Sequence, residues 1–434
     1  MSRTWIVSSF AVLALTAVAG CGSTVKPPQA NRPRLKVQLA ELPLHRPEQS
    51  DRSALPEVVK ANNAFALDLY HKLRPELGNF LVSPGCLTAG LGLLHAGARR
   101  ETAAEIDRLL HWPGSLMDRA LAAFIQDLNA DGDARSFQSR LANAVWIQQG
   151  HQLLDGYRET LRDVFALSDE RRVDFAGDPA ASVHAINAWV SDRTAGKITG
   201  VISPEAVAAS TKLVLTSALY FRGNWAEGFY RPATKDEPFH VTQTRSVTVP
   251  MMHMVGHMSV HGYVDGGTFQ VLSLSCGEAA FAMDVLLPKE VDGLGDLEAM
   301  LTPEMLASLW PKLKKPDEIF VSLPRFRARS SRALEPILKE LGLSQAFDHR
   351  RADFSGINGK SADLFVTAVT HETFIDVNEE GIEAAAFTGV VSADAAGVDE
   401  PPVIRADHPF LYLIRDTRSG CIVFIGRLVD PLNQ

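Results

Sequence analysis

Cysteine is scarce in this chain. Only Cys21, Cys86, Cys276 and Cys421 occur among 434 residues, widely spaced and without a CxxC pair, so neither a metal site nor a disulfide framework is indicated. Positive charge is short as well. The formal net charge is −8 and no dense Lys/Arg stripe is found, which argues against a nucleic-acid partner. HExxH, G-x-S-x-G and P-loop motifs are missing, so the chain offers no recognisable catalytic constellation and implies no cofactor. What is present is 46% hydrophobic and 22% charged residues, the balance of a soluble globular protein with a sizeable core.

The amino terminus carries an address. Arg3 precedes an apolar run, Trp5 to Val18, too short to cross a bilayer comfortably but suited to a signal-peptide core. The run ends in Val18-Ala19-Gly20-Cys21, small residues before a cysteine, which resembles the bacterial lipobox. The expectation is a lipoprotein signal peptide over residues 1–20 and a lipidated Cys21 that holds the protein at a membrane, outside the cytoplasm. The alternative is an ordinary signal peptide followed by a chance cysteine. Gly22 in place of Asp favours the outer membrane where there are two membranes, and otherwise the cell surface. Residues 21–55, rich in Pro, Gln, Arg and Lys, read as a solvated tether.

Beyond the tether no second linker or repeat is seen, so residues 56–434 read as one domain. Helical spacing runs from Asn62 to Leu73, Ala89 to Leu94, Thr102 to Leu110 and Val183 to Arg193, the third with a Thr-x-x-Glu capping box at Thr102 and Glu105. Strand-like runs lie at Leu213–Phe221, Gln270–Leu274, Phe281–Leu287, Ile319–Leu323, Leu364–Val369, Thr373–Val377 and Ile422–Gly426. Helices cluster early and strands late, which predicts an α+β fold with antiparallel or mixed sheets.

A set of fragments, in order, resembles the serpin family of serine protease inhibitors. They are Asn79-Phe80-Leu81-Val82-Ser83-Pro84, Asn143-Ala144-Val145-Trp146, Ile186-Asn187-Ala188-Trp189 and Leu215-Thr216-Ser217-Ala218-Leu219-Tyr220-Phe221 with Trp225. Leu323-Pro324-Arg325-Phe326, Val377-Asn378-Glu379-Glu380-Gly381, His408-Pro409-Phe410 and Phe424-Ile425-Gly426-Arg427 follow. The resemblance covers about residues 56 to 432. It implies the serpin fold, mixed sheets with surrounding helices, and an exposed reactive-centre loop from Glu379 to about Pro402 that is offered to a protease as bait. Such a molecule is not an enzyme. It acts as a monomer, and its partner is a serine protease, with a cysteine protease as the second class. A non-inhibitory serpin serving as a binding or scaffold protein at the cell envelope is the rival reading.

The residues test whether that loop can become a strand. Alternation puts Ile382, Ala384, Ala386, Thr388 and Val390 on one face and Glu383, Ala385, Phe387 and Gly389 on the other. The first set is small or apolar, and no proline removes a donor between Gly381 and Glu400. About a dozen residues joining a sheet add hydrogen bonds of roughly 0.5–1.5 kcal/mol each, so the fold would be held in a kinetic trap. The hinge implied by the resemblance is Glu379, Glu380, Gly381, Ile382, Glu383, Ala384, Ala385 and Ala386. Ile382 stands where the family usually has Thr or Ser, and Phe387 is bulky for its place.

Counting the family's interval from Glu379 puts the severed bond at Ala395-Ala396. A count shorter by one implicates Asp394, and counting back from Pro409 points near Val398. No Lys or Arg lies between Lys360 and Arg405, so an acid-bottomed trypsin-like pocket has nothing to bind, and elastase- or subtilisin-like proteases fit instead. The family's control residues beneath the sheet map to Ser83, Cys86, Ser217 and His371, with Trp225 at the top. Here the usual Ser and Asn are replaced by Cys86 and Ser217. His371 reads as a buried switch or a satisfied core histidine, and Trp225 as gate or core. Met251-Met252-His253-Met254 with His257, Met258 and His261 would suit a soft metal, but also reads as a strand, so no metal is expected.

Overall fold

The computed structural model describes residues 52–112, 117–129, 136–165, 167, 171–254, 260–382 and 401–433. Cys21 and most of the tether therefore lie outside the described residues. So do Glu383, Ala384, Ala385 and Ala386, the bond candidates Asp394, Ala395, Ala396 and Val398, and His257 and Met258.

Helix α1 (Leu55–Leu73) leads into strand β1 (Phe80–Val82), then helices α2 (Pro84–Gly97), α3 (Arg100–Leu109) and α4 (Met117–Leu128). Strand β2 (Phe137–Gln148), helix α5 (Asp155–Asp163), strand β3 (Arg172–Val173) and helix α6 (Pro179–Arg193) follow. Next come β4 (Leu213–Asn224), β5 (Lys235–Thr242), β6 (Arg245–Met254), β7 (Val260–Asp265), β8 (Phe269–Cys276) and β9 (Phe281–Pro288). Two short helices, Leu294–Met300 and Pro303–Leu309, precede β10 (Phe320–Pro324) and β11 (Phe326–Ala333). The last strands are β12 (Val366–Asn378), β13 (Gly381–Ile382), β14 (Val403–Arg405), β15 (Phe410–Asp416) and β16 (Ile422–Leu428).

These strands form three sheets, so the α+β expectation holds. The orders are β1-β16-β15-β9-β8-β7, β14-β10-β6-β5 and, in the main sheet, β11-β12-β13-β4-β2-β3. Helix α2 is buried along almost its whole length, with its N-terminal turn held by Ser83, whose hydroxyl accepts from Cys86 N at 3.3 Å. On the opposite face of the main sheet, α6 lays Val183, Ile186 and Val190 over Ala142, Ala144, Val214, Ala218 and Ala368. Small residues on the strands let that helix lie close.

Two readings change. The runs at Leu364–Val369 and Thr373–Val377 are one 13-residue strand, β12, and the polar interruption His371-Glu372 is buried within it. The Thr102–Glu105 capping box does not form. Helix α3 starts at Arg100, the Thr102 hydroxyl accepts from Asp353 N at 3.0 Å, and the Glu105 carboxylate accepts from Ser344 N at 2.8 Å and Gln345 N at 2.7 Å. Both side chains satisfy a neighbouring segment whose backbone would otherwise be orphaned. Glu105→Ala should thus cost about 2–4 kcal/mol by stranding two amides, more than an ordinary helix cap. Denaturant unfolding of the variant measures it, and a loss of only a few tenths would contradict this role.

Candidate functional site

The main sheet is joined unequally. Strands β2 and β4 pair antiparallel over most of their length, from Phe137↔Gly223 to Ile147↔Leu213. β11 and β12 pair antiparallel and are clasped by side chains: Arg327 Nε donates to Asp376 at 2.7 Å, and Arg329 Nε to buried Glu372 at 2.8 Å. Between these halves, β12 and β4 run parallel from Val366↔Leu213 to Phe374↔Tyr220. Parallel pairing is slightly weaker per residue. This parallel seam is the weaker joint between the two long antiparallel pairs.

At its upper end the seam is already parted. β13 sits between the two strands, with Val377↔Ile382 and Asn378↔Gly381 on one side and Gly381↔Asn224 and Ile382↔Gly223 on the other, all antiparallel. Ile382 shares the inward face of Val377, and both are fully buried. Its β-branched group is therefore accommodated where the family usually carries a hydroxyl. Gly381 is required by space: a Cβ there would lie 2.3 Å from Gly223 O and 2.7 Å from Asn224 Cα.

The residues before β13 are anchored. Glu379 is buried and its carboxylate accepts from Arg325 and from Thr234 Oγ1, the latter at 2.7 Å. Burial opposes ionisation of Glu379, but the Arg325 and Thr234 bonds outweigh it and hold the carboxyl below its ordinary value. Glu380 pairs with Arg231 at 2.8 Å. Trp225 is bound twice, its Nε1 donating to Asn378 O at 2.9 Å and its amide to Glu380 O at 3.0 Å. Phe229 N donates to Glu379 O at 2.8 Å. Thus Trp225 is both core and fastening for the first loop residues.

Lower down, Ser83, Cys86, Ser217 and His371 come together, all essentially without exposure. Ser83 N donates to His371 Nε2 at 3.0 Å, so that nitrogen is the acceptor; Nδ1 therefore carries the proton and donates to Ser217 O at 3.1 Å. One neutral ring ties β12 to β4 and to the start of α2. The Ser217 hydroxyl lies 3.1 Å from Cys86 Sγ, and Cys86 Sγ donates to Asn143 Oδ1 at 3.1 Å. Asn143 Nδ2 returns a bond to Cys86 O at 2.7 Å. An amide from β2 thus serves the cluster in which the replaced family Asn would have stood. Burial pushes the Cys86 thiol up to about 12 despite its bonds to Ser217 and Asn143, so it is no thiolate nucleophile.

Asn143, Arg325, Thr234 and Arg231 were not singled out from sequence. Asn143 and Arg325 lie inside the family-like fragments, which was the available signal. Met251, Met252 and Met254 are core, and His253 is engaged by Glu237 at 2.9 Å and Ser322 at 3.0 Å. Among the described residues no group of three or more His, Cys, Asp or Glu is placed to hold a metal.

Comparison with known proteins agrees with this geometry. The family model described as Serpin (serine protease inhibitor) matches residues 60–431. The chain is 34% identical over 385 residues to the leukocyte elastase inhibitor of Bos taurus, covering 87% of this chain and all of that one. It superposes on Serpin48 of Tenebrio molitor with a TM-score of 0.76 at 29% identity, over 87% of this chain and 98% of that one. Uncleaved ovalbumin gives a TM-score of 0.78 at 26% identity, over 86% of this chain and all of that one.

His371 makes the shut seam sensitive to acid. Burial, opposed by the bond to Ser217, lowers its pKa from 6.5 to about 4, so between these values the unfolded chain binds a proton that the folded chain refuses. Stability is fully present above pH 6.5 and is lost as pH falls toward 4, by roughly 3 kcal/mol from this ring. Denaturant titrations at pH 7 and pH 4 should show that extra loss in the wild type and not in His371→Gln. Equal losses would remove His371 as the cause.

Proposed function

The chain belongs to the serpin family and is not an enzyme, and on that premise we propose that it is a suicide-type inhibitor of elastase- or subtilisin-like serine proteases. The protease attacks the bait segment at or near Ala395-Ala396 through its own nucleophile and forms an acyl-enzyme ester. The severed segment then enters the main sheet as a new strand, carries the protease away, and deforms its site before water can release it. Cys21, lipidated, would hold the inhibitor at the cell envelope.

The observation that carries this reading is the place of β13. Its two residues already occupy the seam with the apolar one inward. An inserted strand continuing that register by one residue per step along β12 and β4 would set Glu383 between Asp376 and Arg222, and five steps further Thr388 between His371 and Ser217. Ala384, Ala386 and Val390 would then face the core by alternation. Insertion would replace the His371–Ser217 bond by a strand whose side chain at that point carries a hydroxyl.

Incubating the full chain with an elastase-like protease should give an SDS-resistant complex, and the cleaved chain should melt about 10–20 °C above the intact one. Simple turnover of the loop, with no trapped ester and no gain in melting temperature, would favour a binding or scaffold role. The register makes a finer prediction. Arg222→Glu or Glu383→Arg alone should raise the number of inhibitor molecules consumed per trapped protease by about three- to tenfold, and the double exchange should restore it. Unchanged stoichiometry in both single variants, with trapping intact in the wild type, would overturn the register but not the trap.

A further inference from the structure

The exit of the bait segment is fastened by a chain of polar contacts that the trapping scheme leaves unused. Strand β14 is the edge of its sheet and pairs parallel with β10 through Phe320↔Val403, Val321↔Ile404 and Ser322↔Arg405. Three parallel pairs hold weakly by backbone alone. Arg405 adds the grip: Nη2 donates to Glu237 Oε2 on β5 at 2.6 Å, and Nε to Asp407 Oδ2 at 2.7 Å. His253 on β6 braces the other oxygen of Glu237 at 2.9 Å.

His408 closes the chain, and its ring has no choice of protons. Nδ1 lies 2.9 Å from Asp407 Oδ1, and Nε2 lies 2.8 Å from Pro288 O. A carboxylate and a carbonyl only accept, so both bonds form only when both ring nitrogens carry hydrogen. Burial opposes ionisation of Asp407, but the bonds from His408 and Arg405 outweigh it and keep its carboxyl below the ordinary value. The acceptor is therefore the carboxylate. His253 differs, because the Ser322 hydroxyl at 3.0 Å can donate to its Nδ1 and satisfy a neutral ring. The remaining titratable groups of this corner are His240 on β5, whose amide donates to Asp407 O at 2.6 Å, and Lys289 beside Pro288, which turns to Asp265 at 2.9 Å. Glu237 and Asp407 are thus matched by Arg405 and a charged, buried His408.

We propose that His408, held as an imidazolium, is a positioning residue for the bait: through Asp407 it fixes Arg405, and with it the far end of the segment. Six residues, Pro401 and Pro402 among them, separate Ala396 from Val403, whereas twelve separate Ile382 from Ala395. The far anchor is the shorter leash on the proposed bond, and its prolines stiffen it. It acts only before the cut, since the severed segment that inserts is no longer joined to β14. The latch therefore governs how fast a protease is engaged, not how many inhibitor molecules each trap consumes. That consequence rests on the inhibitory reading above; the second proton on His408 does not.

Nitrogen NMR of the intact full chain with isotope-labelled histidine at pH 7 tests the ring directly. The His408 signals, identified by their loss in His408→Gln, should show both nitrogens protonated, and Asp407→Asn should return one of them to the bare state. Asp407→Asn and Arg405→Gln should each speed hydrogen exchange of the β14 amides about tenfold, with melting temperature within about 2 °C of the wild type. Against an elastase-like protease, Arg405→Gln should slow association about fivefold and leave the stoichiometry unchanged. A bare nitrogen on wild-type His408, or β14 exchange unmoved in both variants, would overturn the latch. Faster exchange with unchanged association would overturn its part in presenting the bait. A sound latch in a chain that traps no protease would overturn the inhibitory reading alone.

Discussion

The imidazole of His371 has room for one proton. With Nδ1 protonated it closes two bonds at once, donating to Ser217 O and accepting from Ser83 N. A second proton would face the Ser83 amide and turn an attraction into a repulsion. Because the ring belongs to β12 while its partners belong to β4 and the cap of α2, this neutral state keeps the middle of the sheet shut. Beside it, Cys86, Asn143 and the Ser217 hydroxyl satisfy one another in a buried network.

The rest of the main sheet is organised around that closure. Arg327 and Arg329 rivet β11 to β12, and long antiparallel pairing joins β2 to β4, so each half is firmly held within itself. The top of the seam is wedged by Gly381 and Ile382, whose approach leaves no room for a Cβ at residue 381. Glu379, Glu380 and Trp225 fix where the wedge starts. A sheet pinned in the middle and parted at one end confines any opening to one seam between two well-paired halves.

Much of this was legible from residue order, for identifiable reasons. Runs such as Phe281–Pro288 and Ile422–Leu428, apolar but for Asp284 and Arg427, announce buried strands because both faces are covered. β11 was missed because Arg327, Arg329 and Arg332 read as solvated surface, while their carboxylate partners lie on β12 or, for Arg332, on Glu76. β12 reads as two runs because His371-Glu372 interrupts the apolar pattern; in the fold Ser83, Ser217 and Arg329 satisfy both side chains. The hinge residues Glu379 to Ile382 could be named through family resemblance. Arg325 and Thr234 could not be joined to them, nor Asn143 to Cys86, since the bonds that give them a role span 54, 145 and 57 residues of chain. Local rules also misassigned Thr102 and Glu105, whose hydrogen bonds go to a distant segment instead of their own helix.

The unusual thiol at position 86 has a chemical consequence. In the shut sheet it is sealed, fully buried and too weak an acid to react. Parting of β4 from β12 would admit water to the same sulfur, and with water come alkylating reagents and peroxide. An opening of that kind would leave a chemical trace: oxidation of Cys86 to a bulky sulfinate would keep the strands from rejoining. A serine in that place would leave no such record.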